Sequence, residues 1–254
     1  MGVISRLTSY FLLPISNLYN PKSPYLCDQT ERRKLEEIKA LVQKEIRLEW
    51  RQRYALNGML LYVVSTVIIC YLSFNLQRNQ LNKATWNALF WIILLFTSVS
   101  AIAKSFVQER PGRLLYYYTL ASPQGIILAK ILYNAGLMLI LSGLGFGFYA
   151  LVMGNPVEDG LLFVGNVLLG AVGFSSTLTM IAGIAAKAQN NGTLMAVLSF
   201  PVVLPMLLML IKISKNALDG LDRSASQDEV VTLLAINAIV LALSYILFPY
   251  LWRS

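Results

Sequence analysis

The chain offers few side chains able to do chemistry. Its 254 residues include no histidine, and its two cysteines, Cys27 and Cys70, stand far apart, one in a polar segment and one in an apolar one. Histidine-based triads, His-ligated haem and most zinc sites are therefore beyond its means. Two cysteines so placed give no disulfide framework. The sequence also lacks a GxxxxGKS/T phosphate loop, and with it the P-loop route to ATP hydrolysis.

Two groups of residues remain. The first is the segment from Lys104 to Lys130, which carries Glu109, Arg110, Arg113, Tyr116, Tyr117, Tyr118, Ser122 and Pro123. Pro111-Gly112 breaks one helix, Leu114 to Leu120 suits a short amphipathic one, and Ser122-Pro123 supplies a cap and first turn for the next. A short helix across the base of a membrane bundle is a geometry through which a separate motor could push. A plain connector with an aromatic anchor at Tyr116 to Tyr118 fits the spacing equally well. The second group is Pro201 and Pro205, four residues apart on one helix face. Each removes a backbone donor, so together they should kink or break their helix. Broken spans line transport pathways, and they occur just as often as packing irregularities.

The elements that must position these residues are membrane helices. The composition is 56% hydrophobic and 13% charged, about half the charge of an average soluble domain. Crossing about 30 Å of hydrocarbon takes roughly 20 apolar residues in a helix. Six such blocks run approximately Ala55 to Asn75, Trp86 to Ala103, Ile131 to Val152, Leu161 to Ala186, Leu194 to Ile211 and Val230 to Trp252. They are continuously apolar, which excludes the alternation of a transmembrane barrel. The fold class expected is all-α integral membrane. None of the blocks contains Asp, Glu, Lys or Arg, so an ion or proton path marked by such residues is not expected. A passive permease driven by a partner, or a membrane scaffold, is what survives. A membrane-embedded enzyme has little support, because acid, base and metal ligands are missing from the blocks.

Smaller features follow the same frame. Trp86, Trp91, Trp252, Tyr54, Tyr62 and Tyr250 lie near block ends, where amphipathic rings favour the headgroup region. Gly143, Gly145 and Gly147, and less regularly Gly165, Gly170, Gly173 and Gly183, have spacings that let helices approach closely. The net charge of +8 would suggest nucleic acid in a soluble protein. Here the charges avoid the apolar blocks, so they speak for membrane orientation and no nucleic-acid partner is expected. Lys39, Lys44, Arg47, Arg51, Arg53, Lys104, Arg110, Arg113, Lys130, Lys187 and Arg253 fall on one side of the six blocks. Only Arg78, Lys83, Lys212, Lys215 and Arg223 fall on the other, beside an acidic hairpin at Glu158 and Asp159. By the positive-inside rule both termini are cytoplasmic.

From Glu31 to Arg53 the apolar residues Leu35, Ile38, Val42, Ile46 and Trp50 share one helix face, interrupted by Lys39, Glu49 and Arg53. An interfacial helix leading into the first span is expected, with an ordinary solvated helix as the alternative. Ile4 to Leu18 is apolar only in patches, interrupted by Arg6 and Pro14, and lacks the order of a signal peptide. Residues 1–33 are read as an extension or a mis-assigned start, and residues 34–254 as the six-span domain.

Several strings resemble the haem exporter protein B (CcmB) family, the permease subunit of the bacterial cytochrome c maturation ABC complex, over roughly Lys34 to Ser254. They are Leu48-Glu49-Trp50-Arg51-Gln52-Arg53-Tyr54, Trp86-Asn87-Ala88-Leu89-Phe90-Trp91 and Ala103-Lys104-Ser105-Phe106-Val107-Gln108-Glu109, then Leu115-Tyr116-Tyr117-Tyr118, Ser122-Pro123 and Ala129-Lys130. Pro201 and Pro205 match paired prolines in that family's fifth span. The strings look most like members from the Bacteroidetes group, and Met1 to Arg33 departs from the family's short start.

The resemblance implies an ABC-2 type permease half of six spans preceded by an interfacial helix, in the bacterial inner membrane. It implies a separate cytoplasmic ATPase subunit (CcmA-like) that binds ATP, a haem-handling membrane subunit (CcmC-like) and, indirectly, a haem chaperone (CcmE-like). The loop from Glu109 to Ser122 would receive force from the ATPase, with Arg113 and Tyr116 to Tyr118 as contacts. No cofactor is expected on this chain itself, haem being handled by the complex. An ABC-2 permease for lipid, polysaccharide or drug, and a non-transporting assembly scaffold, are the competing functions.

Overall fold

The computed structural model describes residues 24–51, 53–76, 81–107, 121–186 and 191–253. The chain divides into two units, residues 1–37 and 38–254. Of the first, only the opening turns of a helix are described. That helix, α1 (Pro24–Arg51), runs on into the second unit. It starts on a proline, whose missing N–H costs nothing at a first turn, and continues through Leu, Glu, Lys and Arg, all good helix formers. Ile46 and Trp50, from the expected apolar stripe, are 50% and 70% exposed, while Leu41 packs against the core. Ile38 and Val42 of the same stripe are half-buried.

Six further helices follow: α2 (Arg53–Leu76), α3 (Lys83–Val107), α4 (Pro123–Met153), α5 (Gly160–Ala185), α6 (Asn191–Leu218) and α7 (Gln227–Arg253), the last preceded by a 3-10 turn at Arg223–Ser226. All six are long and apolar enough to span a membrane, and no strand occurs among the described residues. The all-helical expectation holds, and each helix contains its expected apolar block.

Helix α5 is the central column. Its apolar window is 72% buried, against 17% for α2 and 22% for α7, and it packs on α3, α4, α6 and α7. Small and hydroxylic residues make this possible: Gly170, Ala171, Gly173, Ser175, Ser176, Thr177 and Thr179 are all buried. A Cβ on Gly170 would sit 2.9 Å from the Trp91 ring, and one on Gly173 would sit 2.5 Å from Met206 Sδ and 2.6 Å from Asn237 Oδ1. Around this column the outer faces carry Ile69, Phe96, Ile140, Leu151 and Ile246, exposed as lipid-facing side chains should be.

Two expectations need correction. Trp86 and Trp91 are not at the interface but buried, at 2% and 0% exposure. They join an aromatic cluster with Phe90, Phe146, Tyr149 and Phe163. Their nearness to a block end hid the fact that the bundle closes over them. Tyr62 and Tyr250 are exposed as expected. The glycines of α4 do less than their spacing suggested: Gly143 and Gly147 face open space, and only Gly145 approaches a neighbour, 3.8 Å from Leu94 and Val63. Pro201 and Pro205 both lie inside helix α6. Both prolines lie on its exposed side, while Val203, Met206, Leu207 and Leu210 are buried and anchor its packed face. That packing, the most extensive between any two helices here, carries the helix past the two missing donors. Helix α4 begins at Pro123 behind the Ser122 cap, where the sequence places its first turn, so Lys130 lies on this helix just ahead of the apolar block.

Substitution tests the column directly. Gly170→Ala drives a methyl group into a rigid indole and should destabilise the protein by about 1–3 kcal/mol, whereas Gly143→Ala should leave it unchanged. Thermal unfolding of the detergent-solubilised variants checks both.

Candidate functional site

The described parts of the expected coupling segment are its two ends, residues 104–107 as the last turn of α3 and residues 121–130. Ser122 caps α4, its hydroxyl oxygen accepting from the Gly125 N–H at 3.1 Å, and Pro123 occupies the first turn. Gly125, Ile126, Ile127 and Ala129 are buried directly behind this cap. Glu109, Arg110, Arg113, Tyr116, Tyr117 and Tyr118 lie outside the described residues.

Two turns into α4 stands Lys130, 1% exposed, with Nζ 3.5 Å from Glu45 Oε1 on α1. Lys44 Nζ reaches the same oxygen at 3.0 Å. One turn further along each helix, Tyr133 lies beside Glu49. The sequence places Glu45 and Glu49 four residues apart and Lys130 and Tyr133 three apart, spacings that put each pair on one helix face. An acidic face of α1 therefore meets a basic and phenolic face of α4. Lys130 stands on α4 one residue before the expected apolar block, which itself holds no ionisable group.

The middle of the bundle is neutral but polar. Trp91 Nε1 donates to Ser214 Oγ at 2.8 Å, and Asn166 Nδ2 donates to Ser214 Oγ at 2.7 Å and to the Leu210 carbonyl at 2.8 Å. Ser214 Oγ in turn donates to the Leu210 carbonyl at 2.8 Å. Asn87 donates to the Ile211 carbonyl at 2.9 Å, Asn134 to Thr179 Oγ1 at 2.8 Å and Asn237 to the Leu169 carbonyl at 3.3 Å. These bonds tie helices together. They bring no nucleophile to a base, and no group of three or more His, Cys, Asp or Glu able to hold a metal occurs among the described residues.

The far end is closed by ion pairs. Lys83 Nζ bonds Glu158 Oε1 at 2.7 Å and the Leu218 carbonyl at 2.6 Å. Arg223 grips Asp159 in two-pronged fashion, Nε to Oδ2 at 2.7 Å and Nη2 to Oδ1 at 3.1 Å. Asp159 also caps α5, accepting from the Leu161 and Leu162 N–H groups. The backbone N–H groups of Glu158 and Asp159 donate to the Ala217 carbonyl. Gly220, at φ +65°, lets the chain turn where a Cβ would meet Glu158 Oε2. Lys212 pairs with Glu229 at 2.5 Å beside this clasp.

These features define a multi-pass helical membrane protein whose interior polar groups bind its own helices and whose charges gather at the two ends. Residues 36–250 match the family model described as CcmB protein, and the chain belongs to that family. Its members are the permease subunit of the haem-export ABC transporter for cytochrome c maturation, which works with an ATPase partner. No curated protein matches the chain.

The clasp carries a pH signature. The Arg223 hydrogen bonds, with those from the Leu162 and Leu161 N–H groups, hold the Asp159 carboxyl down to about 2. A carboxyl depressed in the folded state stabilises it fully above the ordinary value of about 4 and loses that contribution as pH falls through the folded value. Acid unfolding should therefore show a stability loss between about pH 4 and pH 2 that is smaller in Asp159→Asn. Circular dichroism across that window, wild type against variant, is the measurement.

Proposed function

We propose that this chain is the passive membrane half of the haem-export transporter, with ATP hydrolysed on a separate CcmA-like subunit. The base of α4 is where the two engage. The reading rests on one observation above all: Ser122 seats the segment that follows α3 on a helix whose first buried residues begin at Gly125. A thrust on that loop is delivered straight into packed core and cannot be absorbed by a floppy hinge. Glu109, Arg110 and Arg113, with Tyr116, Tyr117 and Tyr118, supply the charged and aromatic groups by which a cytoplasmic subunit is held.

In this reading the chain is not itself an enzyme and binds no cofactor. Haem is the cargo of the complex, handled by a CcmC-like membrane subunit and passed to a CcmE-like chaperone. The absence of histidine supports that division of labour. The basic excess flanking one side of the spans supports an inner-membrane protein with both termini in the cytoplasm.

Co-expression with the ATPase subunit tests the assignment. Glu109→Lys combined with Arg113→Glu should lower recovery of the ATPase with the permease by about tenfold or more, the loss expected when interface charges are reversed. The melting temperature of the permease should not change. Undiminished co-purification would overturn the docking role of the loop.

A further inference from the structure

Lys130 is the only buried cation among the described residues. An ammonium is not placed in such a setting without a compensating carboxylate, because its desolvation is costly. Glu45, 85 residues away in sequence and 11% exposed at its side chain, supplies one. Beside this pair Glu49 of α1 meets Tyr133 of α4, and Leu41 packs on the core while Ile46 and Trp50 face outward. Apolar contacts between helices slide at little cost, but separating Glu45 from Lys130 strands a buried charge. Sliding of α1 along α4 is thus opposed by this pair.

Lys130 also has a defined relation to the loop. It stands seven residues after Pro123, about 10 Å along the helix at 1.5 Å per residue, on a segment that is helical throughout and in which Gly125, Ile126, Ile127 and Ala129 are buried. Displacement at Ser122 is carried to Lys130 without intervening hinge residues. We propose that the Glu45–Lys130 pair is a positioning element that makes the interfacial helix α1 and the base of α4 move as one body during the ATPase cycle. The proposal rests on the reading that the segment that follows α3 is where the ATPase engages.

The test uses the permease–ATPase complex. Spin labels at Arg47→Cys and Leu132→Cys, both exposed positions, with Cys27 and Cys70 replaced by serine, report the α1–α4 distance by pulsed electron resonance. With the wild-type pair, that distance should stay within about 2 Å between the nucleotide-free and ATP-trapped states, and a shift of about 5 Å or more, the scale of a helix sliding one turn, overturns the proposal. In a second arm, Glu45→Gln and Lys130→Gln should each lower cytochrome c matured per ATP hydrolysed by about tenfold, and the reversed pair Glu45→Lys with Lys130→Glu should recover to within about threefold of wild type. Single variants at wild-type yield per ATP, or a reversed pair no better than the singles, overturn it as well. Should a single variant fail to assemble, the label distance in the otherwise wild-type complex decides alone. Failure of the loop reading is separate: it appears as unchanged ATPase recovery in the Glu109 and Arg113 variant, whatever the label distance does.

Discussion

Asn166 spends both hydrogens of its amide on α6, one on the Leu210 carbonyl and one on the Ser214 hydroxyl, and much of the bundle is arranged to allow it. In hydrocarbon no water is on hand to satisfy a polar side chain, so one that enters must find its partner in the protein. Trp91 approaches the same Ser214 from α3, and it reaches that position across Gly170, where any side chain would occupy the ring's space. The glycine, the indole and the amide are thus one arrangement. Hydrogen bonds between membrane helices average only about 0.6 kcal/mol, so the node is a poor source of bulk stability. Its worth is register: sliding α5 by one residue would take both Asn166 amide hydrogens away from their acceptors.

Charge is distributed by the same logic. The middle of the bundle holds amides and hydroxyls, while ammonium and carboxylate groups stand where the helices run out toward polar surroundings. At one end Lys83, Glu158, Asp159 and Arg223 close the loops between spans; at the other, Lys130 meets Glu45. Among the described residues no charged relay runs through the centre, and a permease of this family works with an ATPase partner.

The sequence made the spans legible because a continuous apolar run is a strong signal and needs no tertiary knowledge. It made the Ser122-Pro123 cap legible because capping is local chemistry. The interior was harder. Trp86 and Trp91 carry the composition of interfacial rings, and only the neighbours supplied by α4 and α5 show that they are core. Gly143 and Gly170 look alike in sequence, yet one faces open space and the other a tryptophan. The pairing of Lys130 with Glu45 is invisible in the sequence, because the partner lies on another helix 85 residues away. The loop residues Glu109 to Tyr118 were visible as a motif and lie outside the described residues, so their role rests on experiment.

Helix α4 is longer than a bilayer needs. From Lys130 to Met153 it rises about 35 Å at 1.5 Å per residue, against a hydrocarbon thickness of about 30 Å. The surplus is accommodated by tilt, and Lys130 then sits at the edge of the lipid tails. A membrane with longer or more ordered acyl chains would stand the helix more upright, and a thinner one would lean it over, swinging the Ser122 end sideways in either case. The lipid composition of the host membrane therefore enters as a mechanical variable: it sets the resting angle at which the loop meets whatever pushes on it.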